Sequence, residues 1–229
     1  MTAFKHRLIK VLDHCGLTSK MTRKDFRDRI AKYASEGKTL DVASGGYSIF
    51  AEFFPHRVAV DIQASPGVDV VADVHNLSMF ADASFDTVLC MEGLEHFYDT
   101  KQAVSEMTRV LRHGGALILS TRFIFPLHET PHDYFRFTEY GLRHLLRDYD
   151  ILELQEDGNT METLAVLYQR IGYQCTTLWW KPLKLLWLVQ AKMMPLFAKM
   201  LTKEYGDVAG KMPVRHIMTS GYLIIAKKR

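Results

Sequence analysis

Short apolar runs alternate with amphipathic stretches through the first two thirds of the chain. Thr39 to Ser48 reads as a short apolar strand running into a turn, and Arg57 to Asp61, Val68 to His75, Ser84 to Met91 and Ala116 to Ser120 read as further strands. The near-continuous apolar run from Ser84 to Met91 is that of a strand buried on both faces. Val104 to Leu111 is helical by periodicity, and the pair Gly114–Gly115 is expected to turn the chain from that helix into the fifth strand. Strands alternating with helices predict a parallel sheet that takes ligands at its carboxyl edge. Tyr149 to Leu154 reads as a sixth strand and Ser220 to Lys227 as a last one, with an insertion between them.

Helices are expected at both ends of this alternation. Met1 to Gly16 is a basic amphipathic pattern, with Phe4, Leu8, Val11 and Leu12 on one face, and Thr22 to Ala34 repeats it with Phe26, Ile30 and Tyr33. The second of these should pack on the sheet ahead of the first strand. Thr138 is placed to cap a helix from Glu139 to Arg147.

The insertion has a different texture. Met161 to Tyr173 is helical by periodicity, and Thr176 to Tyr205 is dense in Leu, Trp and Met. At about 100° per residue, Lys181, Lys184, Lys192, Lys199 and Lys203 make a narrow cationic stripe, and residues such as Trp179, Trp180, Leu186 and Trp187 cover the other directions. Pro195 should kink or divide this helix. No window reaches the run of about 18 uncharged apolar residues that a spanning helix needs. Two readings stay open. One is an interfacial helix on an anionic membrane surface; the other is an apolar face packed on protein, either the chain's own sheet or a second copy in a homo-oligomer.

With 229 residues and 48% hydrophobic composition the chain can bury one substantial core with additions. A formal net charge of +3 provides no strong basic field, so nucleic acid is not an expected partner. Cys15, Cys90 and Cys175 are far apart and lack metal-ligand spacing, which points to a reducing compartment. The first helix lacks an apolar core of signal-peptide length. The expected location is cytoplasmic, peripheral on the inner face of the membrane if the insertion meets lipid.

The chemistry gathers at the strand ends. Gly45 and Gly46 follow the first strand and let the backbone approach a ligand closely. Asp61 ends the second strand, where a carboxylate accepts from a ribose diol. Asp73 ends the third, and Glu92-Gly93-Leu94-Glu95-His96 follows the fourth. Beyond the fifth lies the stretch from Phe123 to Thr138. Its two prolines rule out an uninterrupted helix, and His128, His132, Asp133, Tyr134 and Arg136 crowd it with polar groups.

In this order, the glycine turn, Asp61, Asp73, the Phe85-to-His96 segment and Leu111 to Gly115 resemble the class I S-adenosylmethionine-dependent methyltransferases, from Thr39 to about Gly158. Ala43 and Tyr47 stand where the family's outer two glycines are expected. Pro131 to Thr138 looks like a segment of a branch associated with bacterial surface-glycan synthesis. The resemblance implies a Rossmann-like α/β fold: a mostly parallel seven-stranded sheet, helices on both faces and the last strand inserted antiparallel. It implies S-adenosylmethionine as cofactor, with Asp41, Ala43, Gly45 and Gly46 near the methionine part, Asp61 on the ribose and Asp73 at the adenine. Ile62, Val74 and Glu92 are further expected cofactor contacts.

Methyl transfer from a sulfonium is mainly a positioning problem, and a hydroxyl acceptor must also lose a proton. His96, ranked first, and His132 are the expected general bases. The acceptor class is a small molecule or glycan. Glu92, Glu95 and His96 are also similar to a segment that holds a divalent cation in quinone-pathway O-methyltransferases, their spacing of three and four placing them on one helical face; no metal is assigned here. A nicotinamide dinucleotide would need a glycine spacing that is absent. The alternative function is a methyltransferase-like domain that has lost catalysis and serves membrane or protein interaction. The expected organisation is N-terminal helices over 1–38, a cofactor-binding core over 39–158, the helical insertion over 159–215 and a last strand over 216–229.

Overall fold

The computed structural model describes residues 21–23, 25–46, 49–174, 182–207 and 209–229. The helix expected over Met1 to Gly16 lies outside the described residues, as do Tyr47, Cys15, Cys175, Trp179, Trp180, Lys181 and the side chain of Lys184. The chain divides into two compact units.

The larger unit comprises Asp25–Phe123, Leu127–Glu156 and Gly221–Arg229. Its sheet is built from β1 (Thr39–Val42), β2 (Arg57–Asp61), β3 (Val70–Val71), β4 (Phe85–Met91), β5 (Leu111–Arg122), β6 (Tyr149–Glu156) and β7 (Gly221–Lys228). The spatial order is β3-β2-β1-β4-β5-β7-β6. Strands β1 to β5 pair in parallel, and β7 is antiparallel to both β5 and β6. The reversal of order between β1 and β4 creates the crevice at which open α/β sheets hold ligands.

Alternation along the central strands divides the core in two. Val88, Cys90, Leu117, Leu119, Ile224 and Ala226 join one cluster with Val104 and Met107 of helix α2 (Thr100–Val110) and Leu142 of helix α3 (Glu139–Leu145). Leu89, Ile118, Leu223 and Ile225 turn to the other face, where Phe26 and Ile30 of helix α1 (Phe26–Ala31) pack with Phe50 and Phe54. Neighbouring residues thus serve opposite cores, as the period of two requires. Cys90 is a buried free thiol in the first of these, and burial raises its pKa well above the ordinary value. Thr138 caps α3 as expected, its hydroxyl accepting from Gly141 N–H at 3.1 Å.

Three elements differ from expectation. The third strand is only Val70–Val71, because Asp69 turns its carboxylate onto the Ala59 N–H at 2.8 Å and Asp73 already caps the following turn. The helix expected over Thr22 to Ala34 is confined to Phe26–Ala31, the part that reaches the core. Gly114–Gly115 lies inside β5 rather than before it: Leu111 pairs with Phe85 and Ala116 with Thr87, so the glycines sit in a bulge. A Cβ on Gly115 would come within 2.7 Å of Leu111 and 2.9 Å of the Asp86 carbonyl, and Gly114 has φ +71°.

The smaller unit comprises Met1–Lys24, Ile124–Pro126 and Asp157–Ser220. Helix α4 (Thr160–Gln174) starts from a reciprocal cap in which Glu162 N–H donates to Asn159 Oδ1 at 3.0 Å and Asn159 N–H to Glu162 Oε2 at 3.1 Å. Helix α5 (Pro182–Met193) packs on α4 through Leu188 and Ala191, with the Trp187 ring stacked 5.6 Å from that of Tyr168. Pro195 divides this helix as expected, and a 3-10 segment, Met194–Met200, follows. Leu185, Leu186, Val189, Met193, Leu196 and Met200 remain exposed along the two. Among the described residues no helix is long and apolar enough to cross a membrane.

Leu89 is fully buried against α1 and its neighbours. Leu89→Ala should therefore cost about 2–5 kcal/mol, the usual range for a cavity of this kind. Val71→Ala, at a position 58% exposed on the edge strand, should cost about 0.5 kcal/mol or less. Urea denaturation of the two variants measures the contrast.

Candidate active site

The carboxyl ends of β1, β2 and β4 hold most of the expected groups. The turn after β1 enters the left-handed region at Ala43 (φ +54°), Gly45 (φ +57°) and Gly46 (φ +75°). Gly46 admits no Cβ, which would lie 2.2 Å from the Pro66 carbonyl oxygen. The Asp61 carboxylate ties this turn to the end of β2, accepting from the N–H groups of Gly45 and Gln63, each at 2.9 Å. Ile62 beside it is 66% exposed, a large apolar side chain left open at a strand end. Asp41 is buried, with its carboxylate 3.0 Å from Arg57 Nη1.

Asp73 and His75 form a compact unit after β3. His75 Nε2 accepts from the Asp99 N–H at 3.3 Å, so its proton is on Nδ1 and is donated to Asp73 Oδ1 at 2.5 Å. The imidazole stacks on Tyr98 at 3.9 Å. Val74 between the two is buried and belongs to the core. Burial alone would raise the Asp73 pKa, but the hydrogen bonds from the His75 backbone and ring outweigh it and hold the carboxyl below its ordinary value.

After β4 the chain leaves the strand at Glu92, whose φ is +59°. This turns the Glu92 carboxylate to β5, where Ser120 Oγ donates to Oε1 at 2.8 Å and Arg122 Nη2 pairs with Oε2. A single 3-10 turn, Leu94–His96, follows. The expectation that Glu92, Glu95 and His96 share one helical face is therefore corrected: the left-handed residue at Glu92 sends it to Arg122, while Glu95 and His96 lie elsewhere. The Glu95 side chain is fully buried, with Oε2 accepting from Thr121 Oγ1 at 2.8 Å. Burial, and then the negative charge of Glu92, push its pKa up to about 7.

The stretch after β5 folds onto this turn. Tyr134 and Phe135 both donate backbone N–H groups to the Glu95 carbonyl, at 2.9 and 3.2 Å. Arg136 grips Asp133 with two hydrogen bonds of 2.5 and 2.6 Å, and the His128 N–H donates to the same carboxylate at 3.0 Å. Burial of Asp133 works upward, but these contacts prevail and hold its pKa at about 2. His96 Nδ1 lies 2.7 Å from the His132 carbonyl, which only accepts, so in the neutral ring the His96 proton is on Nδ1 and Nε2 carries the lone pair. The His96 and His128 rings meet edge to face at 4.7 Å, and His132 Nδ1 is 3.0 Å from the Tyr134 hydroxyl. His96 thus meets the backbone of His132, whose own ring turns to Tyr134. His128, Arg122 and His75 were not singled out as site residues, although the polar density of the stretch from Phe123 to Thr138 marks His128 in the sequence.

The family model for the methyltransferase domain matches residues 37–119. Over 95 residues the chain is 32% identical to demethylmenaquinone methyltransferase of Renibacterium salmoninarum, a match covering 36% of this chain and 40% of that protein. Over 61 residues it is 41% identical to ubiquinone biosynthesis O-methyltransferase of Xanthomonas oryzae pv. oryzae, covering 26% of each. These matches span well under half the length of the curated relatives. Among solved structures, the 1,6-didemethyltoxoflavin-N1-methyltransferase of Burkholderia thailandensis, crystallised with S-adenosylhomocysteine, aligns with a TM-score of 0.53 and 16% identity over 99% of this chain and 86% of that one. A SAM-dependent methyltransferase of Thermotoga maritima aligns with a TM-score of 0.54 and 14% identity over the full length of both. The architecture is the Rossmann-like class I methyltransferase fold, with the seven-stranded sheet and antiparallel last strand expected from the sequence.

Because the native pKa of Asp73 is lowered, its contribution to stability is fully present above the unfolded value and is lost as pH falls through the native one. In His75→Ala, which removes the ring bond and keeps the backbone bond, Asp73 should titrate at higher pH than in the wild type. Carboxylate NMR titration reads this directly, and an unchanged midpoint would show that the ring bond contributes nothing.

Proposed function

We propose that this chain, a methyltransferase domain by its fold and by the match over residues 37–119, is an S-adenosylmethionine-dependent enzyme that methylates a hydroxyl group. The acceptor in this proposal is a sugar or another small hydroxyl compound, with a lipid-linked surface-glycan precursor as the favoured class. The observation that carries it is the convergence at one sheet edge of the Gly45–Gly46 turn, Asp61, Asp73 and a histidine whose Nε2 is left as a lone pair.

The residues fit the cofactor. Gly46 leaves room where a Cβ would close the turn on Pro66, exposed Ile62 offers an apolar surface beside Asp61, and Asp73 keeps its charge at neutral pH. When bound, S-adenosylmethionine supplies a methyl group on a sulfonium. The chain holds the acceptor in line and receives its proton. His96 suits the second task, since Nδ1–H is committed to the His132 carbonyl and Nε2 can take a proton. His132, beside Tyr134, is the second base in this proposal. The ubiquinone-pathway relative is named an O-methyltransferase, which supports oxygen as the accepting atom.

Calorimetric titration with S-adenosylhomocysteine should show binding that Asp61→Ala weakens by about 1–3 kcal/mol, the range for losing a buried polar partner. His96→Ala and His132→Ala should keep that binding while turnover falls, by about 10²- to 10⁴-fold where the lost residue is the base. Absence of binding in the folded wild type would remove the enzymatic proposal and favour the alternative, a domain that retains the fold for membrane or protein interaction.

We also infer that the 176–205 segment rests on an anionic membrane surface. Its support is the exposed apolar row from Leu185 to Met200, together with the exposed Lys199 and Lys203. Each lysine near such a surface contributes about 1 kcal/mol, and salt screens that part while leaving the apolar part. The protein should float with phosphatidylglycerol vesicles at low salt and less at high salt. A stable homo-oligomer in sedimentation that ignores the vesicles would instead assign the apolar row to a second copy of the chain.

A further inference from the structure

The buried carboxylate of Glu95 poses a specific chemical question. Its Oε2 is held by Thr121, but its Oε1 is buried with no hydrogen-bond donor among the described residues. A buried acceptor left without a partner is costly, and an ion is one of the few things that relieve it. Oε1 is not facing an apolar wall. It lies 3.9 Å from His128 Nε2, and the His96 ring stands edge-on to that of His128. One potential ligand atom from each of Glu95, His96 and His128 lies within 4.8 Å of the other two.

We propose that Glu95, His96 and His128 form a divalent-cation site at the carboxyl end of β4. The outer contact of the His96 imidazole is that of a metal ligand. His96 donates Nδ1–H to the His132 carbonyl, which leaves Nε2 to coordinate. His128 has Nδ1 3.4 Å from the carboxylate of Asp133, an electrostatic contact rather than a hydrogen bond, and turns Nε2 towards Glu95. Metal bonds to nitrogen and oxygen of about 2.0–2.2 Å require the donors to draw closer by up to about 1.5 Å, which side-chain rotations on a turn and a loop can supply. Glu129, exposed and with Oε2 3.9 Å from His96 Nε2, is a fourth donor within reach. Two imidazoles and one carboxylate suit zinc, cobalt, iron or manganese, and leave coordination positions open.

This set is not the one suggested by the spacing of Glu92, Glu95 and His96. Glu92 is already occupied by Arg122 and Ser120, and its place is taken by His128, a residue 33 positions after Glu95 that only the fold brings near. On the hydroxyl-methylation proposal, a cation held by Glu95, His96 and His128 would polarise the acceptor hydroxyl. The O–H bond then gives its proton to water or His132, and the oxygen pair forms the C–O bond as the C–S bond breaks, leaving its electrons on sulfur. His96 then serves as a ligand rather than as the base.

The full-length protein without a histidine tag, stripped with a chelator, is dialysed against Mn²⁺, Co²⁺ or Zn²⁺ and its metal content measured by plasma emission. The expected result is about one ion per chain for at least one metal, as for a single three-residue site. His128→Ala should weaken it by about 10- to 100-fold or more, since even loss of a supporting hydrogen bond has that effect. Glu95→Gln should do the same, and because a buried change can unfold the chain, His128→Ala on the loop keeps the test decisive. Glu92→Gln should retain the ion. Folded wild type that retains none of the three metals, or retention unaffected by His128→Ala, overturns the site; so does loss in Glu92→Gln alone. S-adenosylhomocysteine titration of the stripped protein, run in parallel, tests the cofactor proposal separately.

Discussion

Strand β4 is buried on both sides, and the larger unit is built outward from that constraint. Val88 and Cys90 belong to one core and Leu89 to the other, so a slip of one residue would exchange the two sets of side chains. Pairing with β1 on one edge and β5 on the other leaves no freedom in register. Where the strand stops is therefore determined, and so is the position of the residues just beyond it. Glu92, Glu95 and His96 inherit their places from Leu89 and Cys90.

The same strand end anchors the loop that follows β5. Two successive N–H groups, from Tyr134 and Phe135, converge on the carbonyl of Glu95, and the His96 ring donates back to the carbonyl of His132. A segment with two prolines and no regular structure is held by these three bonds and by the Asp133–Arg136 pair. Loops carry chemistry best when a rigid scaffold positions them. Here the scaffold is a backbone carbonyl whose own location follows from the packing of β4.

Much of this frame was legible in the sequence because it rests on local periodicity. Buried Phe85 to Met91, the Thr138 cap, the division at Pro195 and the last strand each follow from a pattern within a few residues, and each appears where expected. What was not legible depends on distant partners. The third strand is short because Asp69 turns its carboxylate onto the Ala59 N–H of β2 and Asp73 caps the turn that follows, and Gly114–Gly115 is a bulge in which Asp86 and Leu111 crowd Gly115. Glu92 leaves the face shared by spacing because its backbone is left-handed and Arg122 waits on β5. His128 could be seen as one of several polar loop residues, but its meeting with Glu95 and His96 depends on a loop path that no spacing rule describes.

The ionic groups at this edge are a poor choice if stability were the aim. Glu92 and Arg122 are both largely withdrawn from water, and a buried pair of this kind recovers little more than its desolvation cost even when well bonded. Glu95 is buried more completely still, with one oxygen left without a donor. Apolar side chains of similar size would satisfy the core without either burden. A fold that places three such charged groups at the end of its best-packed strand accepts a local loss of stability. That loss is explained most simply by ligands: Glu92 held rigid by Arg122 and Ser120 at the sheet edge, and Glu95 facing two imidazoles, one of them fixed through its outer nitrogen by the His132 carbonyl. The arrangement orients donors before any ligand arrives, so that binding need not also order them.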